Sequence, residues 1–87
     1  MAKILYADGS SKEIPAPDQA AIAEILGGSP DVLDCGENLL IIDDEGALKG
    51  SPPNREATLF YWSFNPRAVG HILVLGTAIL CRKTEID

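Results

Sequence analysis

The sequence lacks the features of several protein classes. Its longest mostly apolar stretch, residues 68–81, is interrupted by glycine, histidine and threonine, and it is shorter than the ~18 residues that a membrane span needs. The N-terminus has no long apolar region and no small-residue cleavage site, which predicts no signal peptide and a cytoplasmic location. We therefore expect no membrane association and, with 87 residues, a single domain over residues 1–87.

Signatures of enzymatic chemistry are also missing. The chain has one histidine and two distant cysteines, without metal-ligand spacing or a Cys-x-x-Cys pair. It has neither a Gly-x-Ser-x-Gly nucleophile motif nor a phosphate-cradling glycine loop. The sequence therefore predicts a non-enzymatic protein with no cofactor and no bound metal. Cys35 and Cys81 are interpreted as two buried thiols of a cytosolic protein.

Basic residues are scarce and unevenly placed. The chain has 7 Lys and Arg against 13 Asp and Glu, a net charge of −6. Residues 1–45 carry ten acids and two lysines, whereas residues 46–84 carry five cations and one acid. Five dispersed cations argue against non-specific nucleic-acid binding, which needs a basic patch. A small anionic ligand is compatible with this charge, because one or two arginines or lysines suffice to bind it.

The order of turn, strand and helix signals predicts an α+β domain, with one helix packed on a mixed or antiparallel sheet of about five strands. The predicted strands are residues 3–7, 11–14, 32–35, 39–42 and 72–82. A helix with one apolar face is predicted after Asp18 and before Gly27-Gly28. Residues 43–46 read as a hairpin turn, and residues 47–49 as the start of its returning strand.

The aromatic residues are concentrated in one segment. Four of the five lie within residues 60–64, and Arg55 and Arg67 flank them. Aromatic rings can stack on a nucleotide base, and guanidinium groups can bind its phosphates. The same rings could instead fill the core or form a contact with another protein chain. The spacing in residues 57–64 fits both a helix and a strand, and the sequence leaves that choice open.

A proline-stiffened loop precedes the aromatic segment. Lys49 and Arg55 bracket this loop, and its rigidity would reduce the entropy that they lose on binding a ligand. Asn54 is typical of a turn but could also contact a ligand. The candidate ligand-binding residues are Lys49, Asn54, Arg55, Tyr61, Trp62 and Arg67.

Four segments share a pattern that covers nearly the whole chain. They are a helix end at residues 25–28, an apolar strand with an acidic-glycine turn at 40–46, a Lys-Gly-x-Pro-x-Asn-Arg loop at 49–55, and a glycine-containing apolar strand at 75–80. The pattern resembles domain-of-unknown-function family 3846, a family of small proteins from phages and mobile elements. The resemblance implies such an origin and no known catalytic residues.

The same resemblance implies a class of function. Small proteins of phages often counter host defences, either by sequestering signal nucleotides or by binding a defence protein. We therefore expect sequestration of a small anionic, nucleotide-derived immune signal. Because 87 residues leave little room for an enclosed pocket, we expect protomers to assemble as a homo-oligomer and share the site. The alternatives are an inhibitor of a host defence complex that acts by protein–protein contact, in the manner of an anti-CRISPR protein, and an accessory oligomer without a ligand.

Overall fold

A computed structural model describes residues 1–85 of the chain. Its five strands are β1 (Ala2–Leu5), β2 (Ser11–Ile14), β3 (Pro30–Cys35), β4 (Asn38–Asp43) and β5 (Ala78–Arg82). Its helices are α1 (Gln19–Leu26) and α2 (Arg55–Phe64), with short 3-10 helices at Pro66–Ala68 and Lys83–Glu85. The strands form one sheet in the order β2-β1-β5-β4-β3, and every neighbouring pair is antiparallel. The predicted α+β class with a five-stranded sheet is confirmed.

Two hairpins and one inserted strand make up the sheet. β1 pairs with β2 across a tight turn that contains Gly9 at φ +93°, and β3 pairs with β4 across a turn that contains Gly36 at φ +68°. Both glycines occupy backbone conformations that other residues seldom adopt. β5 lies between the hairpins, where its Ile79 is paired with a residue of β1 and a residue of β4. The last strand of the chain therefore joins the two halves of the sheet.

Helix α1 has the limits that its end residues predict. The side chain of Asp18 accepts a hydrogen bond from the backbone N–H of Ala21 at 2.8 Å, which caps the first turn. Gly27 ends the helix in the left-handed region at φ +71°, and its N–H donates to the carbonyl of Ala23. Between these ends, Ile22 and Leu26 are buried, as expected for an apolar face that packs on a sheet.

The ambiguous segment at residues 57–64 is helical and belongs to α2, so the domain has two α-helices where the sequence predicted one. Asn54 caps its N-terminus by accepting from the backbone N–H of Ala57 at 3.1 Å. A proline two residues beyond the last helical residue prevents the same helix from continuing. Ala57 and Thr58 are fully or almost fully buried, so one face of the helix packs inward.

The predicted hairpin with a turn at residues 43–46 is wrong, and the strand predicted over residues 72–82 is wrong in its extent. Residues 47–49 do not return along β4, because both sides of β4 are already taken by β3 and β5; the segment from 44 to 50 forms consecutive turns instead. The strand predicted over residues 72–82 begins only at Ala78. The earlier part is held beside α2, where the N–H of Val74 donates to the Thr58 hydroxyl at 2.9 Å.

The sheet is covered by one helix on each face. On the first face, α1 residues pack with residues of β1, β4 and β5; this buried cluster is Ala2, Ile22, Leu26, Ile41, Ile79 and Cys81. On the second face, Ala57 of α2 packs with Leu5, Cys35, Leu40, Val74 and Ala78. Both cysteines are buried thiols outside any disulfide, as predicted, and they belong to different clusters.

Candidate functional site

Asn54 is buried and all its polar side-chain atoms bond within the protein. Its Nδ2 donates to the carbonyl of Leu5 at 2.9 Å and to the carbonyl of Gly76 at 2.8 Å, while its Oδ1 caps α2. The side chain therefore connects the end of β1, the segment before β5 and the start of α2. A ligand could reach this amide only by displacing these bonds.

Lys49 is also engaged inside the protein. Its ammonium donates to the Asp43 carboxylate at 2.8 Å and to the carbonyl of Gly27 at 2.6 Å. The first of these bonds is the main cause that lowers the pKa of Asp43, and a bond from the Glu45 N–H contributes. Lys49 thus ties the turn after β4 to the end of α1. Gly28 lies against this ion pair. A Cβ at this position would come within 2.5 Å of Asp43 Oδ1 and of Lys49 Nζ.

The aromatic segment divides between core and surface. Phe60 and Tyr61 are partly buried against the cluster on the α2 face of the sheet. Trp62 is half-buried on the flank of the helix, and its indole N–H donates to the carbonyl of Ile72 at 2.7 Å. Phe64 is exposed, with its ring centroid 5.1 Å from that of Phe60. Of the two aromatic residues predicted to bind a ligand, only Trp62 lies on the outer flank of α2.

The two candidate arginines stand at opposite ends of α2. Arg55 is the first residue of the helix, and Arg67 lies in the 3-10 helix that follows it. The first and last residues of α2 are nine positions apart in the chain, roughly 14 Å along the helix axis. Both arginines are exposed, and neither forms an ion pair with another of residues 1–85. The structure therefore does not bring the six predicted residues together at one surface.

An exposed apolar surface lies beside α2 and was not predicted from the sequence. We call it the outer patch: Leu59, Trp62, Ile72 and Leu73. The side chains of Leu59 and Leu73 are 49% and 58% exposed, and the Trp62–Ile72 hydrogen bond fixes the segment that carries Ile72 beside the helix. In the sequence, residues 72–75 are a continuous apolar run, which is typical of a buried strand. The exposure of its first two residues was therefore not predicted.

Arg55 borders the outer patch along the helix. It precedes Leu59 by four residues and Trp62 by seven, spacings that place all three on one side of an α-helix. The patch thus combines exposed apolar area with a guanidinium that has no charged partner in the part of the chain that the structure describes. Within residues 1–85 no group of three or more His, Cys, Asp or Glu side chains could hold a metal ion, and no helix could cross a membrane.

Comparison with protein families adds one match. A family described as a domain of unknown function (DUF3846) matches residues 2–87. The chain belongs to the DUF3846 family. The match includes all five strands and both helices, and it confirms the resemblance that the loop and strand motifs suggest. No curated protein and no solved structure matches this DUF3846 chain.

Proposed function

We propose that this DUF3846 protein is a non-enzymatic binding protein that acts by contact with another protein through the outer patch. The observation that carries the proposal is the apolar surface of Leu59, Ile72 and Leu73 around Trp62. Contiguous exposed apolar area on a small domain is typical of an interaction site. Tryptophan and arginine are the residues that most often dominate the binding energy of protein interfaces.

The charges around the outer patch define its partner. Arg55 and Arg67 lie at the two ends of α2 and have no ion-pair partner within residues 1–85. A complementary surface has an apolar centre with carboxylates on either side. In the counter-defence hypothesis, that surface belongs to a component of a host defence complex in the cytoplasm of the infected cell.

The test compares captured proteins across matched variants. Tagged wild type, Leu73→Ser, Arg55→Glu and the control Val32→Ser are incubated with lysate of defence-carrying cells, and bound proteins are identified by mass spectrometry. Val32 is 51% exposed on the edge strand β3, so its variant removes a similar apolar side chain elsewhere. We expect one protein to bind wild type and Val32→Ser but neither patch variant. Identical capture by all four proteins would contradict the proposal.

A second candidate function is sequestration of a small anionic, nucleotide-like ligand. It is favoured by the placement of Arg55 and Trp62 on one side of α2, about 10 Å apart along the axis, so that a ring and a guanidinium could meet a base and a phosphate. The patch is open to solvent, so another protomer would have to supply the opposite wall. This candidate therefore requires a homo-oligomer.

Native mass spectrometry separates the two candidates. After incubation with lysate of infected, defence-carrying cells, sequestration predicts an oligomer with an added small mass that is released on denaturation. Arg55→Ala should lose this mass. Lys12→Ala, which removes an exposed cation from edge strand β2, should keep it. An unloaded protein in every sample would contradict sequestration.

A further inference from the structure

The turn after β4 presents a leucine to solvent. Leu48 is 86% exposed, which is the highest exposed fraction among the large hydrophobic residues that the structure describes. The turn around it is ordered by backbone hydrogen bonds, from the N–H of Lys49 to Glu45 at 3.0 Å and from that of Ser51 to Gly46 at 3.0 Å. The bonds of the Lys49 ammonium to Asp43 and α1 fix it further. An ordered turn loses little conformational entropy when its exposed side chain is bound.

A groove of matching chemistry lies elsewhere on the surface. It runs between α2 and the neighbouring strands β1 and β5 and has a volume of about 540 Å³. Its apolar lining is Leu5, Leu59, Phe60 and Leu80, and its charged residues are Lys3 and Glu56. Its volume falls in the range of ligand pockets, roughly 300–1,000 Å³. An aliphatic side chain that enters this groove would bury apolar area on both partners.

The charges of the turn and the groove are complementary. Beside Leu48, the turn carries exposed acids at Asp44 and Glu45. In the groove, Lys3 has Glu13 opposite it on β2 but forms no ion pair within 4 Å with any of residues 1–85. The exposed acids of the turn therefore complement the lysine at the edge of the groove.

We propose that the Leu48 turn of one copy occupies the groove between α2, β1 and β5 of a second copy. The turn does not fill the groove of its own chain, because Leu48 is almost entirely exposed. We place these two different surfaces in a head-to-tail contact, which repeats into a ring or an open chain. This inference goes beyond the proposed function, because it uses the turn and the groove, and only Leu59 is common to the groove and the outer patch.

Sedimentation velocity over a range of protein concentrations tests the contact. The wild type should associate as its concentration rises, whereas Leu48→Ser should sediment as a monomer over the same range, with at least a tenfold weaker association. Val32→Ser is the matched control, because it removes an exposed aliphatic side chain outside the turn, the groove and the outer patch. Circular dichroism checks that each variant is folded. A monomeric wild type, or equal association of wild type and Leu48→Ser, would overturn the inference.

A mixing experiment tests the head-to-tail geometry. Lys3→Glu should also be monomeric, because it reverses the charge in the groove while leaving the turn intact. Leu48→Ser retains an intact groove, so an equimolar mixture of the two variants should form a dimer that grows no further. A mixture that stays monomeric, while the wild type associates, would show that the turn and the groove do not meet each other.

Discussion

At the scale of single residues, Asn54 connects three separate segments of the fold. One buried amide bonds two carbonyls in different segments and caps α2. Its backbone participates as well, since its N–H donates to Val74 at 2.7 Å and its carbonyl accepts from the Thr58 hydroxyl at 2.7 Å. These bonds fix the loop at residues 49–55 against the sheet. The asparagine of the loop motif therefore has a structural role that requires no ligand.

Replacing Asn54 with alanine should strongly destabilise the fold. The change removes a helix cap and leaves the Leu5 and Gly76 carbonyls without their partner, a combined cost of about 3 kcal/mol or more in the free energy of unfolding. Urea denaturation measures it. The control is Asn65→Ala, whose exposed bond to the Asp34 carbonyl is 3.2 Å long and is expected to contribute about 0.5 kcal/mol. An equal loss of unfolding free energy in the two variants would show that the burial of Asn54 does not increase the contribution of its hydrogen bonds to stability.

The Asp43–Lys49 pair predicts a specific dependence of stability on pH. Bonds from Lys49 and from the Glu45 N–H lower the pKa of Asp43 below its unfolded value, so the folded protein binds this proton less readily. The resulting stability is fully present above the ordinary aspartate pKa of about 3.9, and it is lost as pH falls through the lowered pKa. Asp43→Asn should lower the free energy of unfolding at neutral pH. In this variant the free energy of unfolding should also fall less as the pH is lowered into the acid range.

Urea midpoints measured from neutral pH into the acid range check this prediction. The matched control is Asp44→Asn, an exposed neighbour whose side chain is outside the ion pair. Its profile should follow that of the wild type. If Asp43→Asn shows the same loss of stability in acid as the wild type, the pair does not account for it.

At the scale of elements, the ends of α1 were the most predictable features. Asp18 and Gly27 limit α1 as their chemistry dictates, because capping depends on residues adjacent in sequence. The interior of α2 was not predictable in the same way. Its aromatic residues fit a strand as well as a helix, and the cap that selects the helix is set by Asn54, whose amide is held by distant carbonyls.

Gly27 should be more sensitive to substitution by alanine than by asparagine. Its φ of +71° is strained for residues with a Cβ, although nothing lies within 4 Å of where a Cβ would be. Gly27→Ala should therefore cost about 1 kcal/mol of stability. Gly27→Asn should cost less, because asparagine tolerates the left-handed region at helix ends. Thermal or urea unfolding of both variants measures the difference, and equal costs would indicate that backbone conformation is not the cause.

At the scale of the whole molecule, the acidic and basic halves of the sequence do not form separate halves in space. β5 comes from the basic half, yet it lies between β1 and β4 of the acidic half. Both described ion pairs join the two halves, Lys49 to Asp43 and Lys83 to Asp34. The exposed arginines near α2 and Lys3 in the groove lie outside these two ion pairs and are the cations that we assign to the proposed contacts.

The sequence by itself determined the α+β class, the limits of α1 and the family, because these depend on local chemistry and on motifs contiguous in the chain. Only the tertiary structure decided the roles of the candidate residues. Lys49 and Asn54 bond to groups 22 and 49 residues away, and the exposure of Leu48 and Leu73 depends on which segments cover the sheet. Such contacts are fixed by packing between elements, which no local pattern encodes.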